Sequence, residues 1–341
     1  GRVAEAVKET MLTGDQVLDV GEREDEYDWT VADTHRHSPY VAFLPIIEGC
    51  NKFCTYCIVP FSRGREKSFE ASEIVRQAIE LKEQGVREVH LIGQNVNSYK
   101  PDTNVGLEGF EGKSAFTKLL RAVAATGIER VKFTTSFPRD FQSDIVDAIE
   151  DNENLCNWVH LPVQSGSNRV LSLMKRGHTI EKYFEKIDRL RSSHRDIALT
   201  TDIIVGFPGE TEEEFQTLLD WMDEAQLDRV GCFQYENVAG ARSNDLPDHV
   251  APEIKQERWE RFMERAQAIS EAKLAAKVGR RIEVIVDEMD EDGATCRTKA
   301  DAPEIDGNLF IDEDFDGLST GDIVTVTVEE ANDYDLWGRV A

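Results

Sequence analysis

The sequence predicts an α/β region followed by a small all-β domain. Between residues 41 and 235, six apolar runs rich in β-branched residues alternate with helical patterns, which is typical of parallel βα units. After residue 278 the apolar period becomes two, and Asp-Gly pairs separate short strands. Six βα units either close fully or curl into an open (βα)6 partial TIM barrel, and in both cases the chemistry belongs at the carboxyl ends of the strands.

The elements follow in chain order. Residues 1–37 predict a polar helix and then an acidic linker from Glu22 to Asp28. The predicted strands are Val41–Ile47, Glu88–Ile92, Arg130–Thr135, Trp158–Val163, Ala198–Val205 and Arg229–Tyr235. The helical patterns between them lie near Ala71–Glu83, Ser114–Ala125, Phe141–Ile149, Ile180–Arg191 and Glu212–Ala225.

A loop containing Gly, Asn and Pro ends this alternation between Asn237 and Pro252. A long amphipathic helix is predicted next, with one apolar stripe formed by Trp259, Phe262, Met263, Ala266 and Ile269. We place the domain boundary near Val278, which gives an α/β domain over 38–278 and a β-domain over 279–341.

Composition limits the class of protein. The 341 residues contain no run of about 18 uncharged apolar residues, so no membrane span is expected, and the first nine residues do not form a signal peptide. Three of the six cysteines lie within eight positions, unlike a secreted disulfide framework, which favours a reducing compartment such as the cytoplasm. The other three, Cys156, Cys232 and Cys296, are interpreted as buried small apolar residues.

The net charge of −27 is uneven. Residues 279–341 hold 5 basic and 18 acidic side chains, a balance of −13. Such a surface repels phosphate backbones and attracts basic partners, although a solvated face is the commoner meaning of a charge run.

The motif with the clearest chemistry is Glu48-Gly-Cys-Asn-Lys-Phe-Cys-Thr-Tyr-Cys57, directly after the first predicted strand. Three thiolates at CxxxCxxC spacing can each bind a different iron of a 4Fe–4S cluster and leave the fourth iron open. The alternative is zinc, which prefers four closed ligands and would need His35 or His37 as the fourth. The open three-cysteine arrangement at a strand's carboxyl end favours the cluster.

With its flanks, Ile47 to Glu66, this motif resembles the radical S-adenosylmethionine (SAM) superfamily and, within it, the methylthiotransferases. Further motifs similar to that family are Gly93-Gln-Asn-Val-Asn-Ser-Tyr99, His160-Leu-Pro-Val-Gln-Ser-Gly-Ser167 and Ile204 to Phe215, and the terminal β-region resembles a TRAM domain, the family's substrate-docking module. The resemblance implies an open radical SAM barrel followed by a TRAM barrel, with SAM and a 4Fe–4S cluster as cofactors. It makes Cys50, Cys54 and Cys57 the catalytic and metal-binding residues.

Polar residues just past the predicted strands are the candidates for SAM binding, because amide and hydroxyl groups there can hold its methionyl and ribose ends. Loop capping is the alternative for each one alone. The candidates are Tyr56, Gln94, Asn95, Thr135, Ser136, Gln164 and Ser165. Gly206-Phe-Pro-Gly209 predicts a tight turn, with Thr211 and Glu214 as a capping box. The cluster Arg63, Arg65 and Lys67 is interpreted either as a contact to an anionic substrate or as a salt-bridged face.

The sequence departs from the family pattern in two respects. The family has an N-terminal domain whose three cysteines hold a second 4Fe–4S cluster, and these ligands are absent here, so residues 1–37 are expected to be a linker from that missing domain. In addition, the core from Tyr40 to about Asp202 resembles the tRNA-modifying MiaB branch, whereas the part from Val230 onward resembles the RimO branch, which modifies an aspartate of a small-subunit ribosomal protein. A chimeric sequence would show this pattern.

The sequence therefore predicts an enzyme that inserts sulfur and a methyl group at an unactivated C–H bond. Since the core shapes the pocket, an adenosine beside the tRNA anticodon is the preferred substrate, and the ribosomal protein aspartate is the alternative. An electron donor such as flavodoxin or ferredoxin is the expected partner. The interpretation from a different class is a nucleic-acid-binding module stabilised by zinc.

Overall fold

The computed structural model describes residues 2–14, 17, 36, 38–303 and 306–341. The chain separates into two units, residues 1–35 and 36–341. In the first unit the predicted polar helix is present as α1 (Arg2–Thr13). The predicted acidic linker from Glu22 to Asp28, like His35 and His37, lies outside the described residues.

The second unit begins with an open parallel barrel, as predicted. Its strands pair in the order β1-β4-β5 and β6-β7-β8, all in parallel register. A bridge between Val131 and Leu155 and a hydrogen bond from Ser136 N–H to His160 O (3.1 Å) join the two groups. The strands are β1 (Val41–Pro45), β4 (Glu88–Ile92), β5 (Arg130–Phe133), β6 (Trp158–His160), β7 (Ala198–Val205) and β8 (Arg229–Gln234), while β2 (Ile47–Glu48) and β3 (Lys67–Ser68) form a short antiparallel pair.

The helices cover the outside of this sheet because each buries one apolar face. The fourth helix, for example, buries Phe116, Leu119, Leu120 and Val123, which recur at the spacing of one helical face. Polar caps fix the starts of several helices: Thr211 and Glu214 form the predicted capping box. The helices are α2 (Val59–Ser62), α3 (Ala71–Glu83), α4 (Ala115–Ala124), α5 (Asp144–Asp151), α6 (Asn168–Leu173), α7 (Ile180–Arg191), α8 (Glu212–Ala225) and α9 (Pro252–Ala275).

The predicted long amphipathic helix is α9, and it lies along β8. Its Trp259 donates from Nε1 to the carbonyl of Cys232 at 2.9 Å, while Phe262 and Ile269 are buried. This helix therefore covers the last strand of the open barrel.

The C-terminal strands form a closed barrel in the order β10-β11-β13-β12-β9, which confirms the predicted small all-β domain. Its core is built from alternating residues such as Val284, Val286, Val326 and Val328. Asp292-Gly293 makes the predicted hairpin turn between the first two strands, whereas Asp306-Gly307 lies in the longer connection that follows. The strands are β9 (Arg281–Met289), β10 (Ala294–Thr298), β11 (Leu309–Ile311), β12 (Ile323–Ala331) and β13 (Leu336–Val340).

The small barrel docks on the amino end of the large one through buried charges. Glu88 forms ion pairs with Arg130 Nε and with Arg297 Nη1, both at 2.7 Å, and all three side chains are almost fully buried. Arg130 also donates to the carbonyl of Thr298 (2.7 Å), and Lys132 donates to that of Asp301. We call Glu88, His90, Arg130, Lys132 and Arg297 the amino-end charge cluster.

In the part of the chain that the structure describes, no helix has the length and apolar character needed to cross a lipid bilayer.

Candidate cluster and cofactor site

The cysteine loop begins where the short β2–β3 pair closes residues 49–66 into a compact turn. Gly49 has a left-handed backbone (φ +67°), and a Cβ there would lie 2.2 Å from the carbonyl oxygen of Arg65. Cys50 N–H donates to the carbonyl of Gly64 at 3.2 Å. Glycine is therefore required at this position, because any side chain would push the loop open.

The three thiols of this loop are free and close enough to influence one another. Cys54 is buried, while Cys50 and Cys57 are half-buried. Burial raises the pKa of the Cys50 thiol, and the charges of Cys54, Glu66 and Cys57 raise it further against a hydrogen bond from the Lys52 backbone. Burial likewise raises the pKa of Cys57. Because their pKa is raised, Cys50 and Cys57 keep their protons in the metal-free protein, so iron binding at these thiols releases protons.

Arg176 supplies one positive charge directly beside the loop, and the sequence analysis missed it. Its Nη1 lies 3.7 Å from Cys54 Sγ and 3.4 Å from Tyr56 Oη, and Nη2 donates to the carbonyl of Pro162. The guanidinium also stacks over Phe137, 4.2 Å from the ring centroid. The only signal in the sequence was a basic pair before Gly177, which does not by itself point to a site.

Two of the predicted SAM-binding residues carry buried polar atoms without a protein partner. Asn95 and Ser136 are 2% and 1% exposed, and neither Asn95 Oδ1 nor Ser136 Oγ is hydrogen-bonded to a described residue. Such atoms cost about 1–3 kcal/mol each when they stay unpaired, so they indicate a ligand or water in the functional state.

Two further predicted residues hold a strained backbone. Thr135 has φ +70° and Gln164 has φ +79°, and Phe53 of the cysteine loop has φ +51°. Left-handed backbone is rare for a β-branched residue and typically costs about 1–3 kcal/mol. All three lie just past the carboxyl ends of β1, β5 and β6, where the strain turns the chain across the barrel mouth.

The remaining predicted residues occupy the same end of the barrel with less distinctive contacts. Gln94 is half-buried after β4, and Tyr56 packs against the buried group that contains Met174 and Tyr235. Ser165 Oγ accepts from Ser167 N–H at 3.2 Å, which is the loop-capping role given as the alternative. These seven residues lie in the cysteine loop or follow β4, β5 and β6, and their contacts to SAM stay a prediction.

A polar network missed in the sequence connects the cysteine loop to Asn95. Lys52 Nζ lies 2.5 Å from Asp140 Oδ2, which accepts from Ser98 Oγ at 3.1 Å. Asn95 Nδ2 in turn donates to Ser98 Oγ at 2.6 Å. This network fixes the orientation of Asn95, so that its unpaired carbonyl oxygen stays in place.

The two other sequence interpretations have different outcomes. The turn at Gly206-Phe-Pro-Gly209 ends β7, and its Gly206 N–H donates to Glu210 Oε1 at 2.9 Å, which supports the structural role. Arg63, Arg65 and Lys67 are all exposed, and none forms an ion pair with another described residue.

The thiol loop offers the three free cysteines that a 4Fe–4S cluster with one open iron requires. Among the described residues, no three histidine, cysteine, aspartate or glutamate side chains are arranged to hold one metal ion. A 4Fe–4S cluster is wider, because each thiolate binds a different iron, and three free thiols on one loop fit that need. The zinc alternative relied on His35 or His37, which lie outside the described residues.

The other cysteines take no part in this site. Cys156 and Cys296 are buried, as predicted, and burial raises the pKa of Cys296 to about 12. Cys232 on β8 is only half-buried.

Comparison with known proteins agrees with this geometry. Sequence profiles of the Radical SAM superfamily and of the TRAM domain match residues 44–222 and 278–341. A protein of Cereibacter sphaeroides (strain ATCC 17029 / ATH 2.4.9), named ribosomal protein uS12 methylthiotransferase RimO, is 55% identical over 90% of this chain, which spans 65% of that relative. A protein of the same name from Ruegeria sp. (strain TM1040) is 53% identical over 90% of this chain, which spans 67% of it.

Among solved structures, the radical SAM enzyme coproporphyrinogen III oxidase (HemN) of Escherichia coli matches with a TM-score of 0.50 and 14% identity. The match covers 77% of this chain and 66% of that one, and it shows the shared fold alone.

Proposed function

We propose that this chain, which belongs to the radical SAM superfamily, carries the catalytic and C-terminal parts of a methylthiotransferase that modifies a small-subunit ribosomal protein. The observation that carries the proposal is the free three-thiol loop at the carboxyl end of an open (βα)6 barrel, next to unpaired buried polar atoms. The chain spans about two thirds of the length of the first relatives, so the activity of the whole protein is part of this proposal.

The proposed substrate differs from the one preferred on sequence grounds. The core motifs favoured a tRNA adenosine, but the relatives that align over 90% of this chain are named for ribosomal protein uS12. Those alignments extend through the barrel as well as the TRAM domain, so the ribosomal protein alternative is better supported than tRNA. The −13 balance of residues 279–341 supports it too, since a basic protein is attracted where a phosphate backbone is repelled.

In this proposal Cys50, Cys54 and Cys57 hold the cluster and Arg176 places a positive charge beside Cys54. When bound there, a 4Fe–4S cluster supplies the electron that cleaves SAM, giving a radical able to take hydrogen from an unactivated C–H bond. Asn95 Oδ1 and Ser136 Oγ are the atoms best placed to bind polar groups of SAM, because both are buried and unpaired. The strained turns at Thr135 and Gln164 hold these segments rigidly across the barrel mouth.

The proposed activity also requires a partner that supplies electrons. The cluster needs an electron donor, for which a flavodoxin or ferredoxin is the expected class. A second 4Fe–4S cluster, which the family resemblance implies, has no ligands in this sequence beyond the cysteines already described.

The decisive experiment uses one cysteine inside the loop and one outside it. After anaerobic reconstitution, the parent chain should bind about four irons and, when reduced, cleave SAM to 5′-deoxyadenosine. Cys54→Ala should abolish both, whereas Cys232→Ala, which lies on β8 outside the loop, should keep both. Iron content and chromatography of 5′-deoxyadenosine give the two measurements.

SAM cleavage by Cys54→Ala protein would contradict the cluster assignment. A colourless parent that binds zinc and no iron would favour the zinc-stabilised nucleic-acid-binding module instead.

A further inference from the structure

A cavity of about 480 Å³ lies inside the barrel, directly below the strained turn at Thr135. Strands β5 to β8 form one side of it, with Thr134, His160, Thr200 and Asp202 among its lining residues. The volume lies within the range of about 300–1,000 Å³ that is typical of ligand pockets. One of the residues predicted to bind SAM, Thr135, therefore also lines this cavity.

The small β-barrel supplies another wall of this cavity. Ala302, Asp306, Gly307 and Tyr334 all line it, and Asp306 Oδ2 accepts from Ala302 N–H at 2.7 Å. At Gly307 a Cβ would lie 1.7 Å from the carbonyl oxygen of Tyr334, so the two segments pack too closely to admit a side chain. Because these four lining residues belong to the small barrel, the enclosure exists only when the two barrels are docked.

Arg229 joins the parts of this wall. One of its nitrogens donates to Ser270 Oγ of α9 at 2.5 Å, and the other donates to the carbonyl of Tyr334 at 2.6 Å. Since both of these nitrogens bind the protein, this guanidinium positions the wall.

Beside neutral polar groups such as Thr200 and Gln267, the cavity wall carries carboxylates and apolar side chains. Asp202 has a third of its side chain exposed, and its carboxylate lies 3.3 Å from His160 Nε2. Phe233 on β8 is 58% exposed although it lines the cavity. A partly exposed carboxylate and an exposed ring suit a cationic and partly apolar occupant, whereas nucleotide phosphates are bound mainly by lysine and arginine groups.

We propose that this composite cavity takes the tip of a basic polypeptide loop, with Asp202, Phe233 and Asp306 as its specificity-determining residues. The inference rests on the proposed function, because the carbon to be modified must then lie on the Thr135 side of the cavity. It extends that function by giving the TRAM region a wall of the substrate pocket in addition to any docking role.

The test compares binding of purified uS12 and of a tRNA mixture to the whole chain across a salt series. The double variant Asp202→Asn and Asp306→Asn keeps the side-chain shapes and should weaken uS12 binding roughly tenfold at low salt, with a flatter salt dependence. Phe233→Ala should weaken it about fivefold without that change in salt dependence, since it removes apolar contact alone. Asp316→Asn, an exposed TRAM carboxylate outside the cavity, is the matched control and should change binding less than twofold.

Parental affinity for uS12 in the double variant and in Phe233→Ala would overturn the cavity proposal. So would tighter binding of tRNA than of uS12 by the parent. Formation of 5′-deoxyadenosine by the parent is measured separately: its absence beside cavity-dependent binding contradicts the proposed function only, and its presence beside cavity-independent binding contradicts this inference only.

Discussion

A buried ion-pair cluster at the amino end of the large barrel contrasts with two unpaired polar atoms at its carboxyl end. At the amino end the buried Glu88 pairs with Arg130 and with Arg297, each at 2.7 Å. At the carboxyl end Asn95 Oδ1 and Ser136 Oγ are equally buried but have no partner among the described residues. Paired groups hold the two barrels together, whereas unpaired groups and strained turns lower stability in exchange for a site prepared for its ligand.

The pKa directions of the buried charged groups depend on whether neighbouring charge or desolvation is the stronger influence. Burial would raise the pKa of Glu88, but Arg130, Arg297 and His90 outweigh it and hold that pKa well below 4.5. At the carboxyl end burial raises the pKa of Glu210 to about 7, despite its contacts with Gly206 N–H and Arg258. Burial also lowers the pKa of Lys132 to about 8, against the attraction of Glu88. Neighbouring charges therefore set the direction of the pKa shift of Glu88, and desolvation sets the direction for Glu210 and Lys132.

The largest expected effect comes from breaking the amino-end charge cluster. Glu88→Ala leaves the buried Arg130 without a carboxylate and Arg297 with Asp287 alone, which should lower the free energy of unfolding by about 3–5 kcal/mol. Glu129→Ala removes a carboxylate that is 49% exposed and pairs with Arg87, and it should cost only about 0.2–1 kcal/mol. Equilibrium unfolding in denaturant measures both; equal losses would show that burial of the cluster has no special role.

The second effect is a pair of opposite pH dependences. The depressed pKa of Glu88 contributes stability that is present above pH 4.5 and is lost as pH falls through its folded value. The raised pKa of Glu210 contributes stability that is present below pH 4.5 and is lost as pH rises to about 7.

Relative to the parent, Glu210→Gln should therefore gain stability between pH 4.5 and 7, by about 3 kcal/mol in total. Glu88→Gln should be least stable relative to the parent above pH 4.5, and the difference should shrink in acid. Denaturant midpoints from pH 3 to pH 8 measure both, and the same slope for the two variants would refute the contrast between the ends.

The smallest effect concerns one hydroxyl at the carboxyl end. Ser136→Ala removes a buried unpaired oxygen, so SAM-free protein should become about 1 kcal/mol more stable while SAM affinity falls roughly three- to tenfold. Ser167→Ala is the matched control, because that buried serine caps α6 and donates to Glu214. It should lose about 1 kcal/mol of stability and keep its SAM affinity. Anaerobic calorimetry provides the affinities, and a stability loss in Ser136→Ala would mean that its hydroxyl is satisfied.

Much of the fold was predictable because its determinants are local. Strands such as Glu88–Ile92 and Ala198–Val205 and helices such as Ala71–Glu83 and Ile180–Arg191 match the predicted bounds, since apolar periodicity fixes them over a few residues. Two short helices, α2 and α6, were not predicted, because four to six residues carry too little periodicity to be recognised. The cysteine motif was equally local, with three thiols within eight positions.

By itself, then, the sequence determined the order of the elements, the two barrels and the loop expected to hold the cluster. Only the tertiary structure decided where charge is paired and where it is left open. Glu88 and Arg297 are separated by 209 positions, and Arg176 reaches Cys54 across 122, so no local pattern could connect them. The cavity wall at Asp306 and Gly307 depends in the same way on the docking of one barrel against the other, because side-chain contacts between distant segments exist only after the chain has folded.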